Sequence, residues 1–271
     1  MKRAILLTRS ALLTGIFFAN WLAFAILSVP LVLLPRRHAI SGLKAWGHVS
    51  MFLLRVLAGT KVEFRGTEKI PPGPLLVASK HQSAFETFAL ATLFDAPNLV
   101  LKEELNRIPF FGIWTRKLGL VALNRSKGAK SLKMLAQDSA ATFAEGRQLI
   151  IFPEGTRQAP GAAPTYKVGA AFVYDKAGVP CLPVALNSGV YWPRNAFVKY
   201  PGTIVVEVLD PIPAGLDRKA FMAQLETSIE TASDRLLLEA ADSPDAPPMG
   251  EKARARLAQL RGGEAAPGVN V

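Results

Sequence analysis

His81 and Glu86 stand five residues apart in Lys80-His81-Gln82-Ser83-Ala84-Phe85-Glu86-Thr87, directly after the apolar run of residues 75–79. A neutral imidazole is well matched to removing a proton near pH 7. A carboxylate on its other nitrogen fixes the tautomer and stabilises the imidazolium that forms. On one continuous helix, five residues turn two side chains about 140° apart. The pair therefore meets only if His81 lies in a loop and Glu86 in the first helical turn, reaching back. Ser83 and Glu86 also match the Ser-x-x-Glu capping box. Two readings stay open: Glu86 orients His81, or Glu86 caps a helix beside a polar loop histidine. His38 and His48 sit in the apolar N-terminal region and are weaker candidates.

A second group follows about seventy residues on, in Phe152-Pro153-Glu154-Gly155-Thr156-Arg157. Arg157 has the fork geometry that holds a phosphate bidentately, and Gly155 lets backbone amides approach the same anion. Glu154 is the odd member beside an anionic ligand; it fits better as an orienter of Arg157 or a partner for a substrate hydroxyl. Arg125, after residues 120–123, is another cation at a strand end. Taken separately, each arginine could equally be an ordinary surface residue. A base with its acid and a cationic turn point to an enzyme acting on a charged molecule. Glycine-rich phosphate loops are absent, so no ATP or NAD cofactor is expected. The single Cys181 permits no intrachain disulfide and no cysteine-based metal cluster, in keeping with a reducing compartment.

These residues need a scaffold. Strands are expected at 75–79, 99–102, 120–123, 149–152, 181–186 and 203–209, and helices at 84–94, 110–118, 129–145, 168–177 and 218–240. Gly146 falls where a helix-terminating glycine belongs. The alternation predicts an α/β fold, a mostly parallel sheet covered by helices, whose ligands gather beyond the carboxyl ends of strands. His81 and Glu154 both follow expected strand ends and so are expected to share one cleft.

Half of the 271 residues are apolar and the formal charge is +11. No acid precedes Glu63, whereas Lys2, Arg3, Arg9, Arg36, Arg37, Lys44 and Arg55 do. Because these cations bracket a charge-free stretch, residues 11–34, a membrane surface is the expected partner and nucleic acid is not. As a helix that stretch reaches ~36 Å, enough to cross a hydrocarbon core of ~30 Å, with Pro30 kinking it near its end. A shorter apolar run at 46–57 makes a hairpin in one leaflet the alternative to a span. Ala23-Phe24-Ala25 resembles a signal-peptide cleavage site, but the apolar stretch continues past it. The organisation expected is a membrane-associated helical pair (1–60), an α/β domain (61–241) and a mobile tail (242–271), with a short surface helix near 251–260.

Together the segments resemble the glycerolipid acyltransferase family, which includes the 1-acylglycerol-3-phosphate acyltransferases. His81 through Glu86 resembles the family's His-x4-Asp block, and Gly119-Leu120-Val121-Ala122-Leu123-Asn124-Arg125 resembles the second. Phe152 through Arg157 matches the third and most specific block, and Val179-Pro180-Cys181-Leu182-Pro183-Val184-Ala185 resembles the fourth. The resemblance spans roughly residues 75–209 and implies the α/β fold with an N-terminal helical pair. It implies His81 as general base and Glu86 as its orienter. Arg125 and Arg157 would hold the acceptor's phosphate in a site shaped by Glu154, Gly155 and Thr156. The donor would be acyl-CoA or acyl-carrier protein, the acceptor a lysophospholipid, and the place the inner membrane with the site facing the cytoplasm. Two departures stand out: Glu86 replaces the usual Asp, and Gln158 stands where serine is common. A lyso-ornithine lipid acceptor and a non-catalytic lipid-binding role are the alternatives.

Overall fold

The strand Leu75–Ser79 (β2) has all five residues at 0% exposure. A strand covered on both faces reads as a continuous apolar run rather than an alternation, which is the signature of a parallel sheet between helices. The computed structural model describes residues 2–108, 110–124 and 128–263. The other strands are β1 (Thr60–Arg65), β3 (Pro97–Lys102), β4 (Val121–Leu123), β5 (Gln148–Ile151), β6 (Cys181–Leu186) and β7 (Gly202–Val208). They form a seven-stranded sheet in the order β1-β7-β6-β2-β5-β3-β4. β6, β2, β5, β3 and β4 run parallel, while β7 pairs antiparallel to β6 and parallel to β1. All five parallel strands thus deliver their carboxyl ends to one edge.

The helices are α1 (Lys2–Leu27), α2 (Arg36–Leu53), α3 (Glu86–Ala89), α4 (Phe111–Leu118), α5 (Ala129–Ala144), α6 (Gly169–Ala177), α7 (Ser188–Tyr191), α8 (Arg218–Ala241) and α9 (Glu251–Gly263). Leu75, Val77, Phe85, Phe88, Ile150, Leu182 and Val184 centre the core on one sheet face; Leu76, Leu149, Leu135, Phe221 and Ile229 centre it on the other. Gly146, at φ 71°, ends α5 in a Schellman arrangement: Gly146 N–H donates to Phe143 O and Arg147 N–H to Thr142 O.

Four expectations change. β1 was absent from the expected strands; it is a sheet edge whose residues alternate Thr60 and Val62 inward with Lys61 and Glu63 outward. The helix expected at 84–94 is a single α turn followed by a 3₁₀ turn at Leu90–Thr92. Phe85, Phe88, Leu90 and Phe94 are all buried there, so packing on every side outweighs helical regularity. The apolar segment through Leu34 is not one helix: α1 stops at Leu27, and Pro30 sits in a 3₁₀ turn at Val29–Leu33. Finally, the helix expected near 251–260 is present as α9, but the stretch from Ser243 is not a free tail as far as Gly263. α9 buries Ala253 and Leu257, and Arg256 pairs with Asp234 of α8.

Candidate active site

β2 leads straight into Lys80 and His81, and the extended backbone alternates its side chains past the strand end. His81 and Ser83 line a cavity of about 770 Å³ on one side. Lys80 and Gln82 line a separate cavity on the other. The chain then turns into α3, whose first residue, Glu86, points back at the loop. Its carboxylate is completely buried, and Oε1 stands 2.9 Å from His81 Nδ1. The same oxygen accepts the N–H groups of Gln82 and Ser83, the latter at 2.7 Å. Oε2 accepts the hydroxyls of Ser83 at 3.1 Å and Ser188 at 2.8 Å.

Capping and orienting are therefore one arrangement. Glu86 closes the loop by accepting its backbone N–H groups and, from the same position, can accept a hydrogen bond from Nδ1–H of His81. Ser83 Oγ accepts from Phe85 N–H at 2.9 Å, not from Glu86. With Nδ1–H engaged, Nε2 is the basic nitrogen. Phe152 stacks on the imidazole at a centroid distance of 4.0 Å and 17° between planes, which holds the ring in place.

β5 ends beside β2 and supplies the second group. Glu154 is buried, and it does not orient Arg157. Its Oε2 accepts the N–H of His81 at 2.7 Å, and its Oε1 pairs with Lys80 Nζ at 2.9 Å. Desolvation raises the Glu154 pKa against the pull of Lys80. For Lys80, desolvation works to lower the pKa, but Glu154 and Glu230 outweigh it and the net direction is up. Gly155, at φ 67°, makes the turn, and its own amide donates to Phe152 O. Gln158 N–H donates to His81 O at 2.8 Å. One turn thus holds both backbone groups of His81.

Thr156 and Arg157 line the 770 Å³ cavity with His81, and Lys102, Lys167 and Arg194 join them. No hydrogen bond or ion pair engages the Arg157 guanidinium among the described residues, whereas its carbonyl accepts from Arg194 Nη1 at 2.7 Å. A half-buried guanidinium without a protein carboxylate, beside other cations, suits an anionic group. Arg125 lies outside the described residues.

The structure brings His81, Glu86, Glu154, Gly155, Thr156 and Arg157 together. Sequence reasoning missed Ser188, Phe152 as a stacking partner, Lys167, Arg194 and the Lys80 ion pair. Only Lys80 carried a signal, its place beside His81. Among the described residues no cluster of three or more metal-ligating side chains occurs.

The family model for acyltransferases matches residues 61–187. A 1-acyl-sn-glycerol-3-phosphate acyltransferase of Pseudomonas aeruginosa is 39% identical over 185 residues, covering 68% of this chain and 72% of that protein. A 1-acyl-sn-glycerol-3-phosphate acyltransferase alpha of Mus musculus is 27% identical over 203 residues, covering 72% of this chain and 70% of that one. The crystal structure of a 1-acyl-sn-glycerophosphate acyltransferase from Thermotoga maritima superposes with a TM-score of 0.70 at 23% identity, covering 84% of this chain and 96% of that chain. At that identity the superposition speaks for the fold alone, which it shares. The Pseudomonas relative is similar enough, over enough of its length, to settle kinship: this chain belongs to the acyltransferase family.

Proposed function

We propose that this protein is a membrane-bound O-acyltransferase that moves an acyl chain from acyl-CoA or acyl-carrier protein to the free hydroxyl of 1-acylglycerol-3-phosphate, forming phosphatidate. The observation that carries the reading is the His81–Glu86 pair in the wall of a cavity that also holds the unpaired Arg157. In this reading Nε2 of His81 removes the hydroxyl proton as the glycerol oxygen attacks the thioester carbonyl. Collapse of the tetrahedral intermediate expels the thiolate, which regains a proton from the imidazolium. No acyl-enzyme forms. Arg157, with Arg125, takes the acceptor's phosphate and sets the distance between hydroxyl and base.

A second, apolar pocket of about 260 Å³ supports an acyl substrate. Trp21, Phe24, Trp46 and Trp114 line it, and it shares Thr87, Val100, Leu101, Leu105 and Phe152 with the His81 cavity. An acyl chain lying there would place its carbonyl near the base.

The N-terminal helices support membrane attachment, and α1 is long and apolar enough to span. Yet α1 is tied to the domain along its length. Lys199 N–H donates to Ser10 Oγ at 3.0 Å and Trp114 Nε1 to Ala25 O at 3.2 Å, while Arg9 Nε donates to Leu57 O at 2.7 Å just before β1. Leu13 is buried, and Phe17 packs on Phe88 and Trp192. A helix held this way cannot cross a bilayer without dragging its polar partners in. The reading that follows is insertion into one leaflet, through Leu12, Phe18, Leu22 and Ile26 of α1 and Phe52 of α2, all exposed. Phe18→Asp combined with Phe52→Asp is expected to move the protein from the membrane to the salt-washed supernatant on fractionation; full retention would contradict single-leaflet insertion.

Labelled acyl-CoA and acyl-carrier protein, each offered with lysophosphatidate or with a lyso-ornithine lipid, test the function in membranes of an acyltransferase-deficient host. Phosphatidate formation is expected. In Arg157→Glu the KM for lysophosphatidate should rise roughly 10- to 100-fold, the scale of one lost charge-assisted contact, with the donor KM little changed. Turnover of the ornithine lipid alone would replace the acceptor; no transfer with any pair would remove the enzyme reading in favour of lipid binding. Protease access to the domain in inside-out vesicles tests the cytoplasmic orientation.

A further inference from the structure

Lys80 precedes the candidate base yet points away from it, and its environment is unusual for a lysine. Its side chain is 3% exposed, and Nζ lies 2.9 Å from Glu154 Oε1 and 2.6 Å from Glu230 Oε1. Glu230 belongs to α8, and Tyr166 Oη donates to the same Glu230 oxygen at 2.8 Å. The chain of contacts runs Tyr166, Glu230, Lys80, Glu154 and then the N–H of His81. It joins α8, the loop before α6 and the ends of β2 and β5, and it forms the wall between the two cavities.

Burying such a cluster costs desolvation free energy that well-packed apolar side chains would avoid, so the cluster is a poor way to stabilise the fold as such. It has a clear geometric effect instead. Glu154 has two oxygens, one on Lys80 and one on the His81 amide. Fixing the first aims the second. The Lys80 ammonium also opposes the desolvation that raises the Glu154 pKa, and an anionic carboxylate is a stronger acceptor for the His81 N–H than a protonated one.

We propose that Lys80, held by Glu230, is a positioning residue: through Glu154 it sets the main chain of His81 and thereby the direction of the imidazole toward the acceptor hydroxyl. The proposal rests on His81 being the base. Displacement of a reacting group by an ångström costs on the order of 10²-fold. Lys80→Met is accordingly expected to lower kcat about 10- to 100-fold in the folded fraction, with the KM for donor and acceptor within about threefold, and to lower the thermal transition as well, because it leaves the buried Glu154 carboxylate without its counter-charge.

Coupling separates positioning from general damage. Glu154→Gln keeps an acceptor oxygen for the His81 amide but removes the charge through which Lys80, still held by Glu230, acts on it. In that background Lys80→Met should cost little more, whereas independent effects would multiply. Glu230→Gln, which keeps a polar partner for both Lys80 and Tyr166, should lower kcat only a few-fold and serves if Lys80→Met does not fold. Hydrogen exchange of the peptide containing His81 should quicken in Lys80→Met and Glu230→Gln, a readout independent of activity. Undiminished kcat with unchanged exchange in an active enzyme overturns the proposal, as do multiplicative losses in the double variant. A wild type that is inactive but shows the exchange change would instead count against the proposed reaction.

Discussion

His81→Ala is expected to abolish nearly all acyl transfer, lowering kcat by roughly 10²–10⁴-fold, the range that general-base assistance supplies. A glycerol hydroxyl is a weak nucleophile, and among the described residues of the 770 Å³ cavity His81 is the only imidazole. The KM for either substrate should change little, because in the proposed reaction Arg157 and the apolar pocket, not His81, would carry the ground-state contacts. The side chain is largely buried but, among the described residues, makes only the Glu86 hydrogen bond and the Phe152 stack. Truncating it leaves Glu86 its other four donors, and the thermal transition should stay within a few degrees. Labelled transfer at matched folded protein is the measurement. Activity above a tenth of wild type would remove His81 as the base.

Glu86 separates folding from chemistry when two substitutions are compared. Glu86→Ala leaves the amides of Gln82 and Ser83 and the hydroxyls of Ser83 and Ser188 without their acceptor inside the core. Each buried unsatisfied group costs about 1–3 kcal/mol, so the sum is on the scale of the whole stability of a domain, about 5–15 kcal/mol. The expected result is little folded protein. Glu86→Gln should fold. Its amide oxygen can keep the place of Oε1 against three N–H donors. Its NH₂ group would replace Oε2 opposite two serine hydroxyls, which can rotate to accept.

What Glu86→Gln loses is charge. The imidazolium formed in the transition state then faces a neutral amide, and a hydrogen bond to a charged group is worth about 1.5–3 kcal/mol, or roughly 10- to 100-fold in kcat. Glu86→Asp tests the departure from the family block. The shorter side chain withdraws the carboxylate by ~1.5 Å, about one C–C bond, so it reaches Nδ1 only if the loop moves in. A loss of about tenfold with retained folding is expected. Thermal transitions and kcat of the three variants, measured side by side, decide the matter: a well-folded Glu86→Ala, or a fully active Glu86→Gln, would contradict this account.

The parallel strands and the outer helices were legible because their signals are local. β2, β5 and β6 are apolar along most of their length, as strands buried on both faces tend to be, and Gly146 stands where a helix-ending glycine belongs, which its positive φ bears out. The proximity of His81 and Glu154 was also legible, since a parallel sheet delivers strand ends to one edge, while the contact of Glu86 with His81 was one of two open readings. β1 escaped because an edge strand with alternating charge lacks that apolar signal. α9 escaped as a packed element because its composition is polar and its buried residues, Ala253 and Leu257, are few. What the sequence by itself determined is the chemistry available: a histidine, a carboxylate near it in the chain, and a cationic turn after a strand. Only the tertiary structure decided what each group faces. Glu154 was read as a substrate or arginine partner, yet it turns inward to the His81 amide, because Lys80 meets it from a segment 74 residues away and is itself held by Glu230 of α8. Such pairings depend on the packing of α8 against the sheet, and no local pattern encodes them. The same holds for α1, whose apolar length permits a span but whose Ser10, Leu13 and Phe17 are held by the domain.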